Sequence, residues 1–388
     1  MKANKLVKYF ILFFAVAMAF VISCSEETTN ETVVSTNVTA EPEQPMQQVT
    51  DGLVFSTTNE PIPGVTISVG GQTIGETRED GTFDPRVLLE LNEGDVVTFS
   101  HPEFVPVIRV VRANPQITIV MRRRAQPVIV NAREGGVVRL GRQGQIEVPP
   151  NAFALQGKPF GGDVEIRATF INVADRTEIR SAPGAFISEE QGADRLVPLQ
   201  SFGLAEVTVT TRGENQPLDL IRGQSLRVTL PIVTETPRNV GLYVLNPETG
   251  LWSLVGELTN TGSVLQGDIT DTNRTWNADR PCGQSLVCVR VRIDYGGANL
   301  GCGIAATGLS YRGFDGVFQP DANGFVELQV CPDSVFELGA CFRQCCGPGV
   351  PPTDPCCRNP ELRRVIDMST ITLNPNGCTD IGVWLINN

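Results

Sequence analysis

From Gln48 onward, apolar and polar residues alternate in short runs that turn-formers interrupt. Val65-Thr66-Ile67-Ser68-Val69 stops at Gly70-Gly71, and Val96-Val97-Thr98-Phe99-Ser100 and Ile117-Thr118-Ile119-Val120-Met121 follow. The same period of two runs from Asp163 to Phe170, Ala205 to Thr210, Leu226 to Ile232 and Cys288 to Asp294. Successive side chains of a strand point to opposite faces, so each run predicts a strand with one buried face. Glu79-Asp80-Gly81 predicts a hairpin turn, because Asp-Gly tolerates positive φ. Val240 to Leu245, then Gly250-Leu251-Trp252, predict a strand, a turn and a second strand. Ser369 to Leu373 and Ile381 to Ile386 predict closing strands. The pattern predicts an all-β chain of tandem β-sandwich modules over 48–122, 123–257 and 282–388. The mostly polar stretch 258–281 reads as a linker or an edge strand.

Composition agrees with many short strands. The 388 residues include 38 Gly and 27 Pro, and only 19% are charged, a turn-rich usage that argues against long helical bundles. The net charge of −12 disfavours nucleic acid as a partner.

Residues 1–23 read as a targeting segment rather than part of the fold. Lys2, Lys5 and Lys8 form a positive start, and Tyr9 to Ile22 is apolar but short of the ~20 residues of a spanning helix. The run ends in Val21-Ile22-Ser23-Cys24. That ending resembles a bacterial lipoprotein signal, which implies that Cys24 is acylated and becomes the new N-terminus, anchored by more than one chain. Ser25-Glu26-Glu27 resembles the outer-membrane and surface-export tether of lipoproteins in the Bacteroidetes. Residues 24–47, with five Glu and no basic residue, read as a disordered tether. The expected address is therefore the outer membrane, lipid-anchored, facing the cell surface.

Within 48–122, Gly52-Leu53-Val54, Glu60-Pro61-Ile62-Pro63-Gly64-Val65, Gly75-Glu76-Thr77, Asp80-Gly81-Thr82-Phe83 and Gly94-Asp95 follow in order. This order of turns resembles the carboxypeptidase regulatory-like domain, a small transthyretin-like sandwich, and implies a fold without a peptidase centre. Within 123–257, Gly135-Gly136, Val148-Pro149-Pro150-Asn151-Ala152-Phe153 and Leu230-Pro231-Ile232 resemble the ZU5-like β-sandwich of the cartilage intermediate layer protein family. Some ZU5-containing proteins cleave themselves at a Phe-Ser bond aided by histidine. This segment has no such step, and Phe99-Ser100-His101 lies in the first module. In the third unit, Asp321-Ala322-Asn323-Gly324-Phe325 repeats the layout of Asp80-Gly81-Thr82-Phe83, so the unit resembles a divergent second copy of the transthyretin-like sandwich.

Beyond Cys24, ten cysteines crowd the last unit: Cys282, Cys288, Cys302, Cys331, Cys341, Cys345, Cys346, Cys356, Cys357 and Cys378. An even set confined to one exported module predicts disulfides, with connectivity open. A four-thiolate zinc site is the competing reading; the lack of paired Cys-x-x-Cys and of a nearby histidine counts against it. No metal or other cofactor is expected. His101, the sole histidine, reads as a turn residue, and Lys158 as loop. Arg122-Arg123-Arg124 marks a module seam; a solvated boundary is the bland reading, contact with phosphates or acidic glycans the sharper one. Asp315, Asp321 and Asn323 read as hairpin turns rather than calcium ligands. Trp252, Trp276, Tyr311 and Trp384 are the candidate sugar-stacking platforms, with burial in a core as their default. Asp333-Ser334-Val335 resembles a Bacteroidetes O-glycosylation sequon.

These readings lead to a non-enzymatic envelope lipoprotein, adhesive or structural, that binds another envelope protein or an extracellular surface. The stapled loop 341–357 is its most distinctive surface. The alternative is a carbohydrate-binding surface lipoprotein.

Overall fold

The structure is a computed structural model. It describes residues 51–111, 118–189, 196–282, 287–294, 304–308, 315–318, 320–321, 323–332, 334–340 and 363–386. The signal segment, Cys24 and the tether lie outside the described residues. The fold is all-β, as the alternation predicts.

The first module carries β1 (Gly52–Ser56), β2 (Thr66–Val69), β3 (Gln72–Glu76), β4 (Thr82–Phe83), the one-turn helix α1 (Arg86–Leu89), β5 (Val96–Ser100), β6 (Val107–Val110) and β7 (Thr118–Met121). They form two sheets, β4-β1-β7 and β3-β2-β5-β6. β1 runs antiparallel to β4 and parallel to β7. The inward residues of both sheets, among them Val54, Ile67, Phe83, Phe99 and Ile119, make one core.

The second module begins with β8 (Val128–Asn131), β9 (Gly136–Leu140), β10 (Gly144–Val148), β11 (Phe153–Leu155), β12 (Lys158–Pro159), β13 (Asp163–Ile171) and the short helix α2 (Arg176–Arg180). It continues with β14 (Ile187–Glu189), β15 (Leu196–Thr211), β16 (Asp219–Leu220), β17 (Leu226–Pro231), β18 (Asn239–Leu245), β19 (Trp252–Asn260), β20 (Val264–Ile269) and β21 (Arg274–Pro281). Ten of these strands follow the path β8-β13-β15-β21-β18-β19-β20-β17-β10-β9, with β14 attached to β15 and β19. The sheet coils until its two ends meet: a Cβ added at Gly136 on β9 would lie 3.2 Å from Val130 on β8. Coiling encloses one large core that includes Ile146, Phe153, Ile166, Val207, Leu242 and Trp276.

The expected linker 258–281 is corrected here. It supplies the end of β19, all of β20 and all of β21, and β21 lies in mid-sheet between β15 and β18. Leu258, Leu265, Ile269, Trp276 and Ala278 face the core. The intervening Thr, Asn and Asp residues dilute that period in the sequence. Two of them, Asn277 and Asp279, are buried as well.

The third module comprises β22 (Val287–Asp294), β23 (Ile304–Gly308), β24 (Asp315–Phe318), β25 (Phe325–Val330), β26 (Val335–Ala340), β27 (Arg363–Asp367) and β28 (Thr379–Leu385). Its sheets are β25-β22-β28 and β24-β23-β26-β27. β22 is antiparallel to β25 and parallel to β28. Strand for strand, this is the order and pairing sense of the first module. The expected strand at Ser369–Leu373 is instead a 3-10 turn over Met368–Thr370, held by Asp367, whose carboxylate accepts from the Ser369 amide at 3.0 Å.

Candidate functional site

The most heavily built region outside the three module cores is the joint between the first and second modules. Val105 and Ile108 of the first pack with Ile171, Val173, Ile179, Leu199, Leu204, Tyr243, Leu245 and Trp252 of the second in one buried cluster. Arg109 on β6 reaches across. Its guanidinium donates to the carbonyls of Ala182 and Arg180, each at 2.9 Å. A cation placed on the last carbonyls of a helix satisfies groups that have no partner within it. Burial pushes the Arg109 pKa down to about 10, so the group stays charged at neutral pH.

At the seam Arg123 keeps the solvated character expected of a boundary, its side chain 55% exposed, while Arg124 at 21% is drawn in. Arg122, Arg123 and Arg124 are each committed to a carboxylate. Arg122 Nη1 lies 3.3 Å from Glu178 Oε1. Arg123 pairs with Glu103 and stacks on Phe104, 4.8 Å from its ring centre. Arg124 holds Glu206 through Nη2 at 2.8 Å and Nε at 2.9 Å, and donates to the Pro102 carbonyl at 3.1 Å. Glu206 is 95% removed from solvent by its side chain's 5% exposure. Burial raises its pKa, against the pull of Arg124.

Beside this lock lies a cleft of about 630 Å³, lined by Arg122, Arg123, Arg142, Thr169, Asn172 and Glu178 among others. Among the described residues, Arg142 has no ion-pair partner. The cleft presents positive charge in a protein of net charge −12, which suits an anionic group.

Sequence reasoning missed a buried polar cluster under the joint. β15 bulges between Ser201 and Gly203, and Ser201 sits opposite Asp279 on β21. Ser201, Asn277 and Asp279 are each 0% exposed. The Ser201 hydroxyl donates to Asn277 Oδ1 at 2.6 Å, and Asn277 Nδ2 donates to Asp279 Oδ2 at 2.6 Å. Asp279 Oδ1 has no hydrogen-bond partner. Burial pushes the Asp279 carboxyl well above the usual carboxylate range, against the pull of Ser201 and Asn277. Tyr243, opposite Asn277 on β18, is pushed up to about 12 by burial and by the charge of Asp279. The signal in the sequence was Asn277 and Asp279 on the same phase of one strand.

The remaining expectations fall as follows. Cys282 joins Cys331 with Cα atoms 6.1 Å apart, and Cys288 joins Cys378 at 4.4 Å. Cys302, Cys341, Cys345, Cys346, Cys356 and Cys357, with the loop 341–357 and Tyr311, lie outside the described residues. Glu327 approaches Cys288 and Cys378, but their sulfurs are spent on each other. Trp252, Trp276 and Trp384 are 0%, 3% and 8% exposed. They are core residues, which corrects their reading as sugar platforms, since stacking needs an open ring face. Ser334 is buried, its hydroxyl donating to the Cys331 carbonyl at 2.7 Å, so the folded protein does not offer it for glycosylation. His101 occupies a turn, its Nδ1 accepting from the Glu103 amide at 3.2 Å. Lys158 lies exposed in β12 rather than in a loop. Asp321 Oδ1 accepts from the amides of Asn323 and Phe325, each at 2.8 Å, as in a plain turn.

No protein-family model matches the chain. An all-β, multi-sandwich protein with a sealed joint is the class this architecture defines. The chain is similar to cartilage intermediate layer protein 2 of Homo sapiens, 30% identical over 230 residues, covering 54% of this chain and 19% of that protein. It is also similar to cartilage intermediate layer protein 1 of Homo sapiens, 28% identical over 221 residues, covering 51% of this chain and 18% of that protein. The match thus spans about a fifth of those relatives. The major pilin subunit of Bacillus cereus aligns over 86% of this chain and 98% of its own at 9% identity, with a TM-score of 0.15, too low to relate the two folds.

Proposed function

We propose that this chain is a non-catalytic scaffold of a bacterial cell envelope. In this reading it is anchored at the outer membrane through acylated Cys24 and holds another envelope protein or an extracellular surface. The observation that carries the reading is the joint. Interfaces between domains that move are polar and modest. Here an apolar cluster, a buried arginine and a buried ion pair weld the first two modules. A presenter benefits from such a weld, because its loops and sheet edges keep fixed positions and less order is lost on binding. The stretch from Lys2 to Cys24 supports the anchor. The similarity to cartilage intermediate layer proteins, named for a matrix layer, supports an extracellular, structural role.

Whole-cell crosslinking, purification and mass spectrometry test the binding role. One recurrent envelope partner near unit stoichiometry is expected; recovery of the protein without any recurrent neighbour overturns it. For the anchor, a clickable palmitate analogue is expected to label the wild type and not Cys24→Ser. Equal labelling of both would refute acylation at that residue.

A further inference from the structure

We propose that Ser201 and Asn277 become joined by an ester bond inside the second module, with the Asp279 carboxyl as the proton carrier. Three independent features place the reacting groups. The bulge between Ser201 and Gly203 on β15 sets the Ser201 hydroxyl opposite β21. That hydroxyl already donates to Asn277 Oδ1 at 2.6 Å, which holds Ser201 Oγ beside the amide group it would attack. The Asp279 carboxyl lies 2.6 Å from Asn277 Nδ2, the nitrogen that would leave, and its second oxygen is unpartnered.

The step balances without any outside reagent. As Ser201 Oγ bonds to Asn277 Cγ, the hydroxyl proton passes to Oδ1 along the existing hydrogen bond. Asp279 then gives its proton to Nδ2. The C–N bond breaks with its electron pair on nitrogen, ammonia departs, and the Oδ1 hydroxyl returns a proton to Asp279 as the carbonyl re-forms. A serine is a weak nucleophile until a neighbouring group manages its proton, and a carboxyl kept neutral by burial can do so. Burial raises the Asp279 pKa in this way. All three residues are 0% exposed, so water that would hydrolyse the ester is excluded. The link would tie β15 to β21 in mid-sheet, beneath the welded joint, where a chain holding an external surface bears load.

The test uses the full chain, folded, purified and then denatured. Its intact mass is expected to lie about 17 Da, one ammonia, below the mass calculated for its sequence after allowance for disulfides, signal removal and acylation. Trypsin is expected to release Leu196–Arg212 and Thr275–Arg290 as one joined peptide that hydroxylamine separates. Ser201→Ala and Asp279→Asn are expected to give the full mass and separate peptides, with circular dichroism confirming that each folds. A wild-type mass at full value overturns the proposal whatever the variants do. So does a loss of ammonia with the two peptides separate, which would mark a cyclic imide at Asn277.

Discussion

Gly81 and Gly324 are equivalent residues of two different modules. The Val54 amide on β1 donates to the Gly81 carbonyl at 2.9 Å, and the Ile293 amide on β22 donates to the Gly324 carbonyl at 2.8 Å. Both glycines have positive φ, 75° and 80°, and each precedes the strand that pairs antiparallel with β1 or β22. The turn-then-Phe layout is therefore a repeated structural device, consistent with a common sandwich plan.

Replacing either glycine by alanine should destabilise its own module. A Cβ at Gly81 would sit 2.6 Å from the Val54 carbonyl oxygen and 3.0 Å from Pro61 Cβ; at Gly324 it would meet only the Ile293 oxygen, at 2.9 Å. Strain of this kind costs about 1–3 kcal/mol. Gly81→Ala should therefore lower the unfolding free energy more than Gly324→Ala in denaturant titrations. The reverse order would show that the two turns are not equivalent in packing.

The weld between the first two modules should fail at Arg124. Its loss leaves the carboxylate of Glu206, only 5% exposed, without its cation. Removing one partner of a buried pair costs about 3–5 kcal/mol, and the 21% exposure of Arg124 places the expected loss at or below the lower end. Arg124→Ala should lose more than Glu206→Gln, because the remaining arginine would still reach water. Limited proteolysis at the seam gives a second readout, with faster cleavage in Arg124→Ala. Identical melting of Arg124→Ala and wild type would remove the ion pair from the weld.

Much of this architecture was legible because strands announce themselves by period. Val65–Val69 and Cys288–Asp294 sit where the alternation put them, but the expected hairpin at Asp80-Gly81 is instead a turn that crosses from one sheet to the other, since β3 pairs with β2 and β4 with β1. What escaped was whatever broke the two-letter pattern. β21 buries Trp276 and Ala278 on one face and Asn277 and Asp279 on the other, so it has no polar face to alternate with. Arg109 sits in an ordinary strand sequence, and only the approach of the α2 carbonyls turns it into a clamp. The triple arginine was visible, yet its partners Glu178 and Glu206 are 56 and 82 residues away, a separation no local pattern encodes. The tryptophans were scarce enough to invite a functional reading, but large apolar side chains go to cores by default.

Those tryptophans yield an optical test. All three of the chain's Trp residues are at most 8% exposed. Acrylamide should quench the native emission weakly and the denatured emission strongly, and polysaccharide titration should leave the native emission unchanged. Saturable quenching by a polysaccharide would show that a ring face opens, and would restore the carbohydrate-binding alternative.

The third module should depend on its staples. Cys282–Cys331 encloses 49 residues of sequence separation and Cys288–Cys378 encloses 90. Bridges across such loops typically stabilise by about 2–4 kcal/mol, chiefly by restricting the unfolded chain. Paired substitution Cys288→Ser with Cys378→Ser should lower stability by that order, and Cys282→Ser with Cys331→Ser by slightly less. Calorimetry of the two double variants checks the ranking. Indifference of the melting temperature to both would mean that the apolar core of the module suffices alone.

Finally, Asp279 should make stability fall as pH rises. Its folded pKa lies well above the unfolded value near 3.8 because burial disfavours the charge. Below pH 3.8 the carboxyl is neutral in both states and its contribution is fully present. As pH rises through the unfolded value, the unfolded chain releases its proton while the folded chain keeps it, so folding loses free energy until the folded pKa is passed. Glu206, also raised by burial, acts in the same direction. Asp279→Asn removes the titration while keeping the shape. Its stability relative to wild type should therefore improve steadily from pH 4 upward, on top of a constant offset from altered hydrogen bonding and from loss of the proposed ester. Denaturant titrations of both proteins at several pH values between 4 and 8 measure that slope. A difference independent of pH would mean that the folded carboxyl titrates like an exposed one.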